Sequence, residues 1–139
     1  MSRRTARKQA FLTLYQSDVN ESPLGPTLER WRRHRGKLEE YAVRLAQGVE
    51  EEREGLDAVL SEVSVGWPVH RMSAVDRSIL RLALYEMLHV DDVPPDVAVN
   101  EAVELAKGFS GDEAPAFVGG VLRGAEGRAD GKVGHVERG

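Results

Sequence analysis

Downstream of Ser73 the apolar residues Ile79, Leu80, Leu82, Ala83, Leu84, Met87 and Leu88 cover nearly every azimuth of a helix instead of one face. A helix that is apolar all round has no side to offer to water, so the rest of the chain has to enclose it. Ser73 opens it as an N-cap, with Asp76 three positions on in a weaker form of the usual capping box. The Gly66-Trp67-Pro68 break precedes it, and Pro94-Pro95 ends the connection beyond it.

The enclosing material is helical too. In residues 3–18, Ala10, Phe11, Leu14 and Tyr15 recur at helical spacing. Residues 17–27, with Asn20, Pro23, Gly25 and Pro26, read as a loop. A second helix passes through Leu28 and Trp31 and is interrupted by Gly36. A third starts near Lys37 with the stripe Leu38, Tyr41, Ala42, Leu45, Ala46 and Val49, ends on the acidic run Glu50-Glu51-Glu52-Arg53-Glu54, and is followed by a short helix through Leu56, Val59, Leu60 and Val63. Residues 96–107 carry Val99, Ala102, Val103 and Ala106, with Gly108 placed to stop them. A last helix runs through Phe117, Val118, Val121 and Leu122. Asp112 as its N-cap puts Pro115 in the first turn, where no N–H is needed. No segment alternates as a strand does. From Gly127 onward the chain is glycine-rich without apolar periodicity, which predicts a disordered tail over 127–139. With 139 residues, 41% of them hydrophobic, this amounts to one all-α domain of about 1–126.

Several functions find no support. No apolar run is long enough for a membrane span or a signal peptide, so a cytoplasmic protein is expected. Without cysteine there is no disulfide, thiolate site or thiol nucleophile. His34, His70, His89 and His135 lack ligand spacing, and Gly119-Gly120 follows no strand and precedes no Lys-Ser/Thr as a phosphate loop would. No enzyme, metal or cofactor is expected.

The net charge of −4 hides a division. Residues 1–37 hold nine Lys/Arg against three Asp/Glu, a net of +6, leaving −10 for the rest. In the first helix Arg3, Arg4, Arg7 and Lys8 share azimuths with Ala10, Phe11, Leu14 and Tyr15, so one stripe changes from basic to apolar. Four cations cannot stay in a core without partners, which predicts first turns that overhang the body or stay unfolded. The run alone fits either phosphate binding or a solvated terminus. A second cluster, Arg30, Arg32, Arg33, Arg35 and Lys37, either extends the basic patch or forms the solvated face of its helix, and because its positions circle the helix the second reading is favoured. Phe109 and Phe117 flank the loop of residues 110–116. Pattern alone assigns both rings to the core, although an exposed ring there would stack on an unpaired base.

Residues 3–15 (RRTARKQAFLTLY), 75–86 (VDRSILRLALYE), 99–109 (VNEAVELAKGF) and 117–122 (FVGGVL) resemble, in order and spacing, the four blocks of the NusB family of transcription antitermination factors. The resemblance implies two packed helical subbundles, of three and four helices, within about 3–63 and 71–126. It also implies binding of boxA-type leader RNA together with NusE, a ribosomal protein, in a complex with other Nus factors and RNA polymerase. Arg3, Arg4, Arg7 and Lys8 fall on the family's basic RNA-binding stretch, and Tyr15 on an aromatic beside it. Phe109, Glu113 and Phe117 fall on a second RNA-contacting stretch, and Asp76 on the surface toward NusE. A homodimer is compatible with the resemblance, as is a monomer. Gly119 stands where the family usually has Asn. The competing reading is a protein-interaction module with an incidental basic terminus. Everything turns on whether the basic start of the first helix lies beside the loop ahead of the last one.

Overall fold

The computed structural model describes residues 2–128, which form seven α-helices and one short 3-10 turn, Val69–Arg71. Helices α1 (Arg3–Val19), α2 (Leu24–His34) and α3 (Glu40–Glu51) make one subbundle, and α4 (Arg53–Val63), α5 (Ala74–His89), α6 (Pro95–Phe109) and α7 (Ala114–Gly124) the other. Because α4 packs on α5 and α7, the three-plus-four division falls at the turn around Glu52 rather than near residue 63. The tail expected over 127–139 lies outside the described residues except for Gly127 and Arg128. Those two continue a last helical turn, where Arg128 pairs with Glu62.

Helix α5 is the buried axis. It packs against α1, α3, α4, α6 and α7, and Ile79, Leu80, Leu82, Ala83, Leu84 and Met87 are all buried. Its N-cap forms as the sequence indicates, with Ser73 Oγ accepting from the Asp76 N–H at 3.0 Å.

The expected loop of residues 17–27 is shorter than its composition suggests. Helix α1 continues to Val19, and α2 starts at Leu24 on an extended Pro23, so Pro26 falls in the first turn, where its missing N–H leaves no bond unmade. Gly108 does not stop α6, which ends one residue later on Phe109. At α7 the cap is Glu113 rather than Asp112, with Pro115 in the first turn as the sequence requires.

Candidate nucleic-acid interface

The basic start of α1 neither overhangs nor unfolds. Ser2 caps the helix by accepting the Thr5 N–H at 3.2 Å, and each arginine behind it meets a carboxylate from the other subbundle. Arg3 donates with both terminal nitrogens to Asp92, each at 3.2 Å, and its guanidinium lies 4.3 Å from the centre of the Tyr41 ring. Arg4 forks onto Glu101 at 3.1 and 2.8 Å. Arg7 is buried, its Nε donating to Glu86 at 2.8 and 3.0 Å, with Glu101 3.8 Å from its NH1. Sequence argues against burial only for want of partners, and α5 and α6 supply them.

Arg7 must therefore be corrected from an accessible cation to a structural one. Tyr41 completes its network by donating to Glu86 at 2.5 Å, and desolvation together with that carboxylate pushes the phenol above its ordinary range. The hydrogen bond from Arg4 holds the Glu101 carboxyl below the usual carboxylate range, against the opposing effect of its partial burial. Arg3 does the same for Asp92. Both Arg3 and Asp92 are exposed, whereas Arg4 has a 73% exposed side chain on a Glu101 side chain that is only 16% exposed. Arg4 is thus anchored on one edge and open to solvent on the other.

Beside these pairs stands Lys8, which has no ion-pair partner among the described residues. It is exposed, and its Nζ lies 5.7 Å from the centre of the Phe109 ring at the end of α6. Phe109 is 40% exposed and rests on Phe11 with ring centres 5.0 Å apart, and Phe11 in turn contacts Tyr15 at 6.1 Å. A shallow groove lined by Arg4, Thr5, Lys8, Glu101, Leu105 and Phe109 results. The basic start of the first helix thus does lie against the end of α6, where the loop leading to α7 begins.

Glu113 and Phe117 belong to a second groove around that loop, with Trp67, Asp76 and Ser110. Phe117 is half-buried there, and Trp67 is 49% exposed. Asp76 is tied to the loop by a 2.7 Å hydrogen bond from Ser110 Oγ, a contact that reasoning from sequence misses because the two residues are 34 positions apart. Trp67 stands out in the sequence only as part of a helix break. Gly119 is buried in α7, and a Cβ there would come 3.4 Å from Val103, in ordinary van der Waals contact.

Among the described residues no set of three or more His, Asp or Glu is gathered to hold a metal. What the surface can do is hold a phosphate next to an unpaired base: Arg4 and Lys8 supply charge, and the partly exposed ring of Phe109 supplies stacking area. This is the equipment of a helical binding protein for a flexible polyanion.

The comparisons give that class a family. The model of the NusB family matches residues 4–126. A transcription antitermination protein NusB from Rubrobacter xylanophilus is 75% identical over the whole of both chains. Among solved structures, NusB from T. maritima superposes with a TM-score of 0.83 at 32% identity, covering 93% of this chain and 94% of that one. A chain from a complex of antitermination factors NusB and NusE with dsRNA gives 0.81 at 26% identity, with 90% and 96% covered. The chain belongs to the NusB family.

Proposed function

We propose that this protein is a transcription antitermination factor that binds single-stranded boxA-type leader RNA together with NusE. On this reading it acts in the cytoplasm, within a complex of other Nus factors and RNA polymerase. The observation that carries the RNA half is the placement of an exposed Lys8 against a half-exposed Phe109, next to the open edge of Arg4. Phosphates lie on Arg4 and Lys8 and draw Arg3 away from Asp92. A base stacks at Phe109, and the strand continues past Tyr15 or over the loop toward Glu113 and Phe117. Arg7 contributes by holding α1 to α5 rather than by touching RNA. NusE docks at the neighbouring groove, where Asp76 and the exposed Trp67 offer one charged and one apolar contact. A solved relative, described as NusB and NusE in complex with dsRNA, supports NusE and RNA as partners, the RNA there being double-stranded.

The experiment is a titration of a labelled boxA-like oligomer with the wild type and with Phe109→Ala and Lys8→Gln. Loss of a stacked ring is expected to weaken binding by about 1–3 kcal/mol. Loss of Lys8 is expected to lower the log–log salt slope by about 0.7. Affinities unchanged in both variants would remove RNA from this surface.

A further inference from the structure

Arg3, Arg4 and Arg7 are all engaged by carboxylates, so the positive charge left without an ion pair at this end of the molecule lies elsewhere. Among the described residues Lys8, Arg30, Arg33, Arg35 and Lys37 form no ion pair, and all five are exposed; Arg32 alone of the second cluster pairs, with Glu29. The four-residue connection makes α2 run back along α1, which brings its basic end to the same end of the bundle as Lys8.

The last step is made by a turn and a clamp. Arg35 caps α2, and Gly36 takes φ +99°, a conformation that side chains of L-residues rarely adopt, so the chain turns sharply there. Gln9 then fixes the backbone just past the turn: its Nε2 donates to the Lys37 carbonyl at 3.3 Å, and its Oε1 accepts the Glu39 N–H at 2.9 Å. Lys37 is thereby pinned to the residue next to Lys8. On the wheel of α1, Lys8 faces α6 and Gln9 lies 100° further round, facing the α2–α3 connection. The outward arc between them carries the exposed Thr5 and Gln16 and the half-buried Leu12. A strand leaving Phe109 and Lys8 over that ridge arrives at Lys37 and Arg35. Arg35 lies over the Trp31 ring, 4.8 Å from its centre, which presents the other face of the guanidinium to solvent.

We propose that Arg30, Arg33, Arg35 and Lys37 form a second phosphate-binding surface. It takes the backbone of the single-stranded RNA that flanks the element seated at Lys8 and Phe109, and so rests on the reading above. A structural explanation covers part of the cluster, since Arg33 in the last turn complements the helix dipole. It does not reach Lys37, which stands beyond the helix, and the clamp on its backbone has no bearing on the dipole.

The test compares a boxA-like core oligomer with the same core carrying a short uridine run at either end, bound to the wild type and to a double variant, Arg35→Gln with Lys37→Gln. Both changes lie outside regular helix, and a melting curve checks that the fold is kept. One of the two extensions is expected to tighten wild-type binding threefold or more, with a steeper salt slope. The double variant is expected to bind the core unchanged and to lose that gain. Extensions that tighten neither protein, or both alike, overturn the inference while leaving the core site standing. Failure of the core oligomer to bind the wild type at all defeats the underlying reading, and this proposal with it.

Discussion

A single carboxylate, Glu86, decides how the start of α1 is held. It takes Arg7 from α1 and Tyr41 from α3, so one buried residue on α5 joins three helices. Around it the carboxylates that hold the other two arginines grade outward in exposure, from the largely buried Glu101 under Arg4 to the solvent-exposed Asp92 under Arg3. Exposed pairs of the last kind add little to stability. Asp92 nevertheless occupies the fork of Arg3 with the two-point geometry that a phosphate would use, and so competes with RNA for it. Asp92→Asn is therefore expected to leave the melting temperature nearly unchanged and to tighten RNA binding by up to about fivefold. Glu54→Gln, on α4, is the control for overall charge and should do much less. Equal effects from the two variants in the same anisotropy titration would mean that only net charge matters.

At the scale of helices, close approach is paid for at one point. A Cβ on Gly48 of α3 would come within 2.2 Å of the Tyr85 ring of α5, and that ring is stacked on His89 with centres 5.0 Å apart. Gly120, midway along α7, has nothing within 4 Å of its Cβ position. The same chemical change should thus have opposite signs. Gly120→Ala is expected to stabilise by about 0.5–1 kcal/mol through backbone entropy. Gly48→Ala gains the same propensity but forces Tyr85 off its seat, at a cost of about 1–3 kcal/mol, for a net loss. Urea melts of both variants give the comparison, and a stabilised Gly48→Ala would show that the ring moves freely. Helix existence was legible in the sequence because apolar spacing is a local property. The all-round apolar pattern of α5 identified the axis correctly, and Ser73 identified its start. Helix ends were less legible, as at Pro26: the penalty for proline disappears in a first turn, and composition does not say which turn is first.

On the scale of the whole molecule, what sequence could not supply was pairing over distance. Arg7 and Glu86 are 79 positions apart, Arg3 and Asp92 89, and Arg4 and Glu101 97, so no local rule connects them. The basic run and the two phenylalanines were visible as chemistry. That Phe109 would meet Lys8, while Phe117 would turn into a different groove with Asp76, depended on how α6 and α7 pack. The same long-range pairs bear on how the chain unfolds. Besides Glu86, they include Arg77 on α5, which donates to Asp18 of α1 at 2.6 Å, and one continuous apolar core runs through both subbundles. Separating the subbundles would open the apolar packing of α1 and α3 on α5 to water, a loss of burial large enough to leave no stable half. A single cooperative transition is therefore expected. Trp31, buried in the first subbundle, and Trp67, at the entrance to α5, allow each half to be followed alone in Trp67→Phe and Trp31→Phe. In urea, fluorescence and far-ultraviolet circular dichroism should give one midpoint within each variant. A Trp67 signal that moves at a different urea concentration from the circular dichroism of the same protein would show that the second subbundle melts by itself, and that the contacts of α1 and α3 with α5 do not bind the two into one unit.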